Sequence, residues 1–126
     1  MENFCEITFC QQIGSNKRHN QDALFNGEAV FQYKLKTAEK RLENRPHFIA
    51  GVADGISNSN RPEKASKLAM QLLSQMESIS RQTIYDLQSS LSAELADDYF
   101  GSATTFVAAE IDQITRKAKI LSVGDC

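Results

Sequence analysis

The sequence predicts an α+β domain in which an antiparallel sheet packs against two helices. Three observations predict it. Three strand-like segments precede the first helix with no helical crossover between them, two amphipathic helical stretches then follow one another, and two further strand-like segments come last. Consecutive strands of this kind pair antiparallel, which leaves the helices segregated to one face.

Residues 4–11 (FCEITFCQ) alternate, with Cys5, Ile7 and Phe9 on one side and Glu6 and Thr8 on the other, as in a half-buried strand. Residues 13–22 are polar and read as a loop. Residues 23–31 return to strand character, broken by Asn26-Gly27, a strong turn signal. Residues 32–46 are rich in Lys, Glu and Arg and are expected to form a solvated excursion, either a long hairpin tip or a short helix. The apolar run 47–53 (HFIAGVA) ends abruptly at Asp54-Gly55, which suggests a buried strand, and 56–61 form a turn-rich loop. Pro62 opens a helix, a position where its missing N–H costs nothing. Ala65, Leu68, Ala69, Leu72, Leu73 and Met76 then recur at spacings of three and four, a core stripe. A second helix is expected from Ser80, its cap, to about Asp98, with Ile84, Leu87, Leu91 and Leu95 on its apolar face. Residues 104–111 and 117–123 read as strands joined by a polar turn from Asp112 to Arg116. The runs 47–53 and 104–109 are apolar on both faces. The sheet face turned away from the helices therefore needs cover, from self-association or from a complementing C-terminal segment.

The composition narrows the function classes. The 126 residues are enough for one core, and 41% hydrophobic with 24% charged residues is an ordinary globular balance. A net charge of −2 without a basic block gives no reason to expect nucleic acid as a partner. No apolar run reaches membrane-spanning length, and residues 1–10 lack the basic start and apolar run of a signal peptide, so no membrane association and a cytoplasmic location are expected. Three cysteines without CxxC spacing argue against a disulfide framework or zinc site and read as small core-filling side chains.

Two aspartates stand at strand ends, Asp22 after Asn20-Gln21 and Asp54 before Gly55. Carboxylates so placed suit a hard divalent cation such as Mg²⁺ or Mn²⁺, which takes one or two carboxylates, a backbone carbonyl and water. Gly55 would let its carbonyl approach closely. On spacing alone, Asp54-Gly55 is a turn. The set of motifs changes that balance: GSNKRHNQDA at 14–23, GVADGIS at 51–57, GSATTFVAAEI at 101–111 and ILSVGDC at 120–126. In this order they resemble the metal-dependent protein phosphatases of the protein phosphatase 2C family, across essentially the whole chain. Asn20-Gln21-Asp22 resembles the end of the family's first motif, Val52-Ala53-Asp54-Gly55 the second, Gly101 to Thr105 the third, and Val123 to Cys126 the fourth.

The resemblance implies half of a four-layer αββα phosphatase sandwich, with residues 1–126 as the N-terminal part of an incomplete catalytic domain. It implies a phosphorylated protein as substrate, phosphoserine or phosphothreonine hydrolysis, and two Mn²⁺ or Mg²⁺ ions that activate water and neutralise phosphoryl oxygens. Asp54 would bridge the metals, Gly55 would offer its carbonyl, and Asp22 would support the site directly or through water. Lys17 stands where the family often has a phosphate-binding Arg, with Arg18 beside it; Lys binds phosphate as a point charge without the bidentate fork. The chain departs from the family after Asp54-Gly55, where Ile56-Ser57-Asn58-Ser59 replaces a further Gly pair. The family's other metal-ligating aspartates lie in a C-terminal part outside these 126 residues, and Asp125 does not match one of them. The alternative is therefore a non-catalytic phosphatase-like binding or regulatory module. An unrelated N-terminal-nucleophile hydrolase ranks lower, because Met1-Glu2-Asn3 offers no nucleophile.

The remaining candidates read as structural. His19 lies in a solvated loop, and His47 has no catalytic partner nearby in sequence. Ser102, Thr104 and Thr105 lack a Gly-x-Ser-x-Gly elbow and suit backbone bonding at a strand start.

Overall fold

The computed structural model describes residues 5–15, 17–32 and 35–126. In chain order the elements are β1 (Cys5–Gln11), β2 (Asp22–Phe25), β3 (Val30–Phe31), β4 (Leu35–Glu43), β5 (His47–Gly55), α1 (Pro62–Leu73), α2 (Arg81–Glu94), β6 (Thr104–Asp112) and β7 (Lys117–Val123). Five strands form an antiparallel sheet in the order β3-β2-β5-β6-β7, and β1 pairs with β4 in a separate two-stranded ribbon. The fold is α+β, as the alternation of segments predicts.

The β2–β3 turn forms because Asn26 organises it. Its Oδ1 accepts from the N–H groups of Glu28 (2.9 Å) and Ala29 (2.8 Å), and its own N–H donates to the Ala29 carbonyl (3.2 Å). Such side-chain capping of local N–H groups is what favours Asn in turns.

Strand alternation splits the sheet into two unlike faces. Ala23, Phe25, Ile49, Ala53, Phe106 and Ala108 point toward the helices and share a buried core with Ala69, Met70 and Leu73 of α1 and Ile84 and Leu87 of α2. Gly51 marks a close approach of α1. A Cβ there would stand 2.6 Å from Leu73 Cδ2 and 2.9 Å from the Val107 carbonyl oxygen, so no side chain fits. The core stripe of α1 is rotated from the expected one: Met70 and Ser66 are fully buried, while Leu68 and Leu72 are half-buried. Ser66 is tolerated there because its hydroxyl donates to the Glu63 carbonyl and accepts from Gln32 Nε2 (2.9 Å). The second helix begins at the expected cap, where Ser80 and Thr83 form a reciprocal capping box, but it stops at Glu94 with Leu95 as its C-cap.

The stretch 32–46 differs from the expected hairpin tip or short helix, since Leu35–Glu43 is a nine-residue strand. Its charged side chains fit a strand because the ribbon lies at the molecular surface and β1 supplies its hydrogen-bonding partner, with Cys5 opposite Glu43 and Ile7 opposite Arg41. The cysteines also differ from expectation. Cys10 and Cys126 are exposed and only Cys5 is partly buried, because Cys10 shares the outward side of β1 with Glu6 and Thr8.

The ribbon lies over the second face of the sheet. Phe9 of β1 stacks on Phe31 of β3 with ring centroids 5.2 Å apart. One corner is fastened by buried Glu43, which accepts from Arg41 Nη1 (3.0 Å) and from the guanidinium of Arg45; Arg41 also reaches the Asn26 carbonyl and Arg45 the Gly27 carbonyl. Between ribbon and sheet remains an apolar cleft of about 530 Å³, bounded by Ile7 and Phe9 on one side and Ala50, Val52, Val107 and Ile120 on the other. Cover for this face is therefore partial, and Val52 and Ile120 are 45% and 66% exposed. Among the described residues no helix is long and apolar enough to cross a membrane.

Candidate functional site

Register brings the two motif aspartates together. Asp22 opens β2, Asp54 stands one residue before the end of β5, and the two are directly paired across the antiparallel ladder. Directly opposed residues project to the same side. Here that side is the face away from the helices, shared with Leu24 and Val52. The carboxylates therefore meet at one end of the partly covered face, in a pocket of about 340 Å³ that Asn20, Gln11, Cys10 and Cys126 also line.

The electrostatics follow from that proximity. The Asp22 carboxyl is raised above the usual aspartate range, first by burial, then by its hydrogen bond with Asp54 and the Asp54 negative charge. Two carboxylates held together without a cation have this signature, and a hard divalent cation between them would reverse it.

The surrounding backbone is pinned. The Asp22 N–H donates to Asn20 Oδ1 (3.0 Å), and the Gly55 N–H donates to the Gln21 carbonyl (3.0 Å). A Cβ at Gly55 would stand 2.5 Å from the Gln21 oxygen and 2.7 Å from the Pro62 oxygen, so only glycine lets the end of β5, the residue before β2 and the start of α1 converge. The Asp54 carbonyl accepts from Thr104 Oγ1 (3.0 Å) and Thr105 Oγ1 (3.3 Å), which is the backbone role expected of those hydroxyls. Gly124 lies against Thr105, so the third and fourth motifs are neighbours.

Lys17 and Arg18 are placed differently. Both are exposed, and the Lys17 N–H closes a turn onto the Gly14 carbonyl (3.3 Å). Arg18 lines a second pocket, of about 320 Å³, on the other side of Asn20, and neither residue lines the Asp22–Asp54 pocket. Asn20 is thus a wall common to both pockets. Sequence reading had only its place in the Asn20-Gln21-Asp22 tripeptide to signal that.

The donor set suits one hard cation, with two carboxylates side by side and room for water. Among the described residues no group of three or more His, Cys, Asp or Glu side chains forms a fuller metal site. A second ion would need ligands from elsewhere.

Comparison with models of known protein families finds no match, and comparisons with curated proteins and with solved structures likewise find none.

Proposed function

We propose that the chain carries the N-terminal part of a metal-dependent phosphoserine/phosphothreonine phosphatase domain, half of an αββα sandwich whose second sheet the β1–β4 ribbon begins. The observation that carries this reading is the direct pairing of Asp22 with Asp54 at the end of an open sheet face. The four motifs, in order along the chain, support it as well.

In this reading Asp54 and Asp22 hold Mn²⁺ or Mg²⁺, and Gly55 keeps the strand end close to the Gln21 and Pro62 backbone so that the carboxylates stay in place. A bound divalent cation supplies Lewis acidity toward a phosphoryl oxygen. The protein's own contribution is positional: Asn20 and the threonine hydroxyls fix the backbone on either side of the carboxylate pair.

A second reading, a phosphatase-like binding module without turnover, is favoured by one specific observation. Two carboxylates alone, among the described residues, do not make a two-ion clamp. One experiment separates the two: hydrolysis of an aryl phosphate and of a phosphothreonine peptide by the 126-residue chain with Mn²⁺, beside Asp54→Asn. The phosphatase reading expects Mn²⁺-dependent turnover that Asp54→Asn abolishes. Turnover indifferent to Asp54 would reject the site, and Mn²⁺ binding through Asp54 without turnover would establish the binding module.

A further inference from the structure

The pocket on the far side of Asn20 is chemically unlike the rest of the molecule. The chain as a whole carries a net charge of −2. Here four permanent cations, Arg18, Arg61, Lys64 and Lys67, and the imidazole of His19 surround a single carboxylate, Glu63. Arg61 is committed to that carboxylate, whereas Arg18, Lys64 and Lys67 enter no ion pair among the described residues. Like charges gathered without counter-ions repel one another, and structures tolerate this where an anion relieves it.

Tyr99 lies under two of the cations, with the Arg61 guanidinium carbon 5.7 Å and the Lys64 Nζ 5.6 Å from its ring centroid. Arg61, the N-cap of α1, adopts a left-handed backbone (φ 47°) and provides no side-chain cap, so the positive end of the helix opens beside the cluster. An independent observation comes from Asn20, which lines the same pocket. Its residue is 7% exposed, its Oδ1 is engaged by the Asp22 N–H, and its Nδ2 has no hydrogen-bond partner among the described residues. A buried amide donor left unpaired is costly, and Asn20 lies where an acceptor brought into one of the two pockets it walls could relieve it.

We propose that this pocket, formed by Arg18, Arg61, Lys64, Lys67 and Asn20, binds a phosphate dianion, separately from the Asp22–Asp54 pocket. Its donors suit a tetrahedral oxyanion: a guanidinium fork, two ammonium groups and an amide. Because Asn20 walls both pockets, a phosphate here sits next to one at the carboxylates. The natural source is then a second phosphorylated side chain of the same peptide. That identification of the source rests on the phosphatase reading, but the pocket's affinity for phosphate does not.

The test is an amide-shift titration of the full 126-residue chain with inorganic phosphate, with EDTA present and ionic strength held by chloride. Saturable shifts at Arg61, Glu63 and Lys64 are expected, weakened roughly tenfold or more in Lys64→Gln/Lys67→Gln and unchanged in the remote Lys117→Gln. No saturable shifts, equal weakening by Lys117→Gln, or equal shifts from chloride alone would overturn the site. With Mg²⁺ in place of EDTA, so that the carboxylate pocket can accept the second phosphate, a peptide with two neighbouring phosphoserines should bind at least tenfold tighter than inorganic phosphate. If it binds no tighter, the peptide source is overturned while the phosphate site stands. Since no turnover is measured, failure of the phosphatase reading leaves this result untouched.

Discussion

The helices and the β1–β4 ribbon cover opposite faces of one sheet by different means. On the helix side the contact is apolar and closed: Ala69, Met70 and Leu73 lose all exposure in a core shared with Phe106, Ala108 and Ile49. On the ribbon side the contact includes an aromatic stack and a buried carboxylate with its two arginines, and an apolar cleft stays open. The closed face holds the fold together. The open face carries the aspartate pair, and its looser cover leaves room for a ligand or partner. The two covers should therefore respond to different perturbations, packing changes on one side and charge or pH on the other.

The largest effect should come from the closed face. Leu73→Ala removes a fully buried side chain against Gly51 and should cost about 4 kcal/mol, read from urea denaturation. A cost no greater than that of an open-face change would end the distinction between the covers.

Next is the ribbon's fastening. Glu43→Ala removes the buried acceptor shared by Arg41 and Arg45 and should cost about 3 kcal/mol, with faster hydrogen exchange in β1 and β4 than in β5 and β6. The arginines beside Glu43 lower its carboxyl to about 2. Its contribution is therefore fully present above the ordinary glutamate range and is lost as pH falls through about 2. Acid should release the ribbon while leaving the helix-side core, where packing dominates.

Gly55→Ala tests the junction of the two faces. The added methyl meets two backbone oxygens that cannot rotate away, so a loss of about 2 kcal/mol is expected in thermal melts.

Asp54→Asn should act in the opposite sense. Because Asp22 is raised in the folded state, its favourable contribution is present at low pH and is lost as pH rises through its folded value. Asp54→Asn removes the repulsion, so the Asp22 carboxyl should titrate lower in NMR and the variant should melt above the parent at neutral pH. Mn²⁺ should stabilise the parent and not the variant.

The smallest effect is on the open face. Ile120→Ser should change stability by no more than about 0.5 kcal/mol, but it should reduce concentration-dependent association in sedimentation, since Ile120 is exposed beside the cleft.

Much of this architecture was legible because it is periodic. The helical period of α1 (though not the exact face it buries), the Ser80 cap and the alternation of β1 each encode one local preference that nothing tertiary overrides. The β4 strand was not legible. Lys, Glu and Arg at 35–45 look solvated, and their pairing with β1 is a contact between segments some thirty residues apart that no local pattern reports. The rotation of the α1 stripe to include Met70 and Ser66 was hidden for a similar reason: a helix alone does not reveal that Gly51 will let it approach closely. At the candidate site, Asp22 and Asp54 could be singled out from their strand ends. Their opposition follows from register, and the position of Asn20 between two pockets follows from how the chain turns just before β2.

The pairing of Asp22 with Asp54 also makes the carboxylates a gauge of correct assembly. Sliding β2 by one residue along β5 would turn Asp22 to the helix side, and sliding it by two would pull the carboxylates apart along the strand. A divalent cation that needs both oxygen donors would recognise a single alignment of these strands and add its binding free energy to that alignment alone, about 2.7 kcal/mol at a hundredfold excess over Kd. Metal availability would then act as a quality control on folding, favouring chains whose strands have found their partners in step.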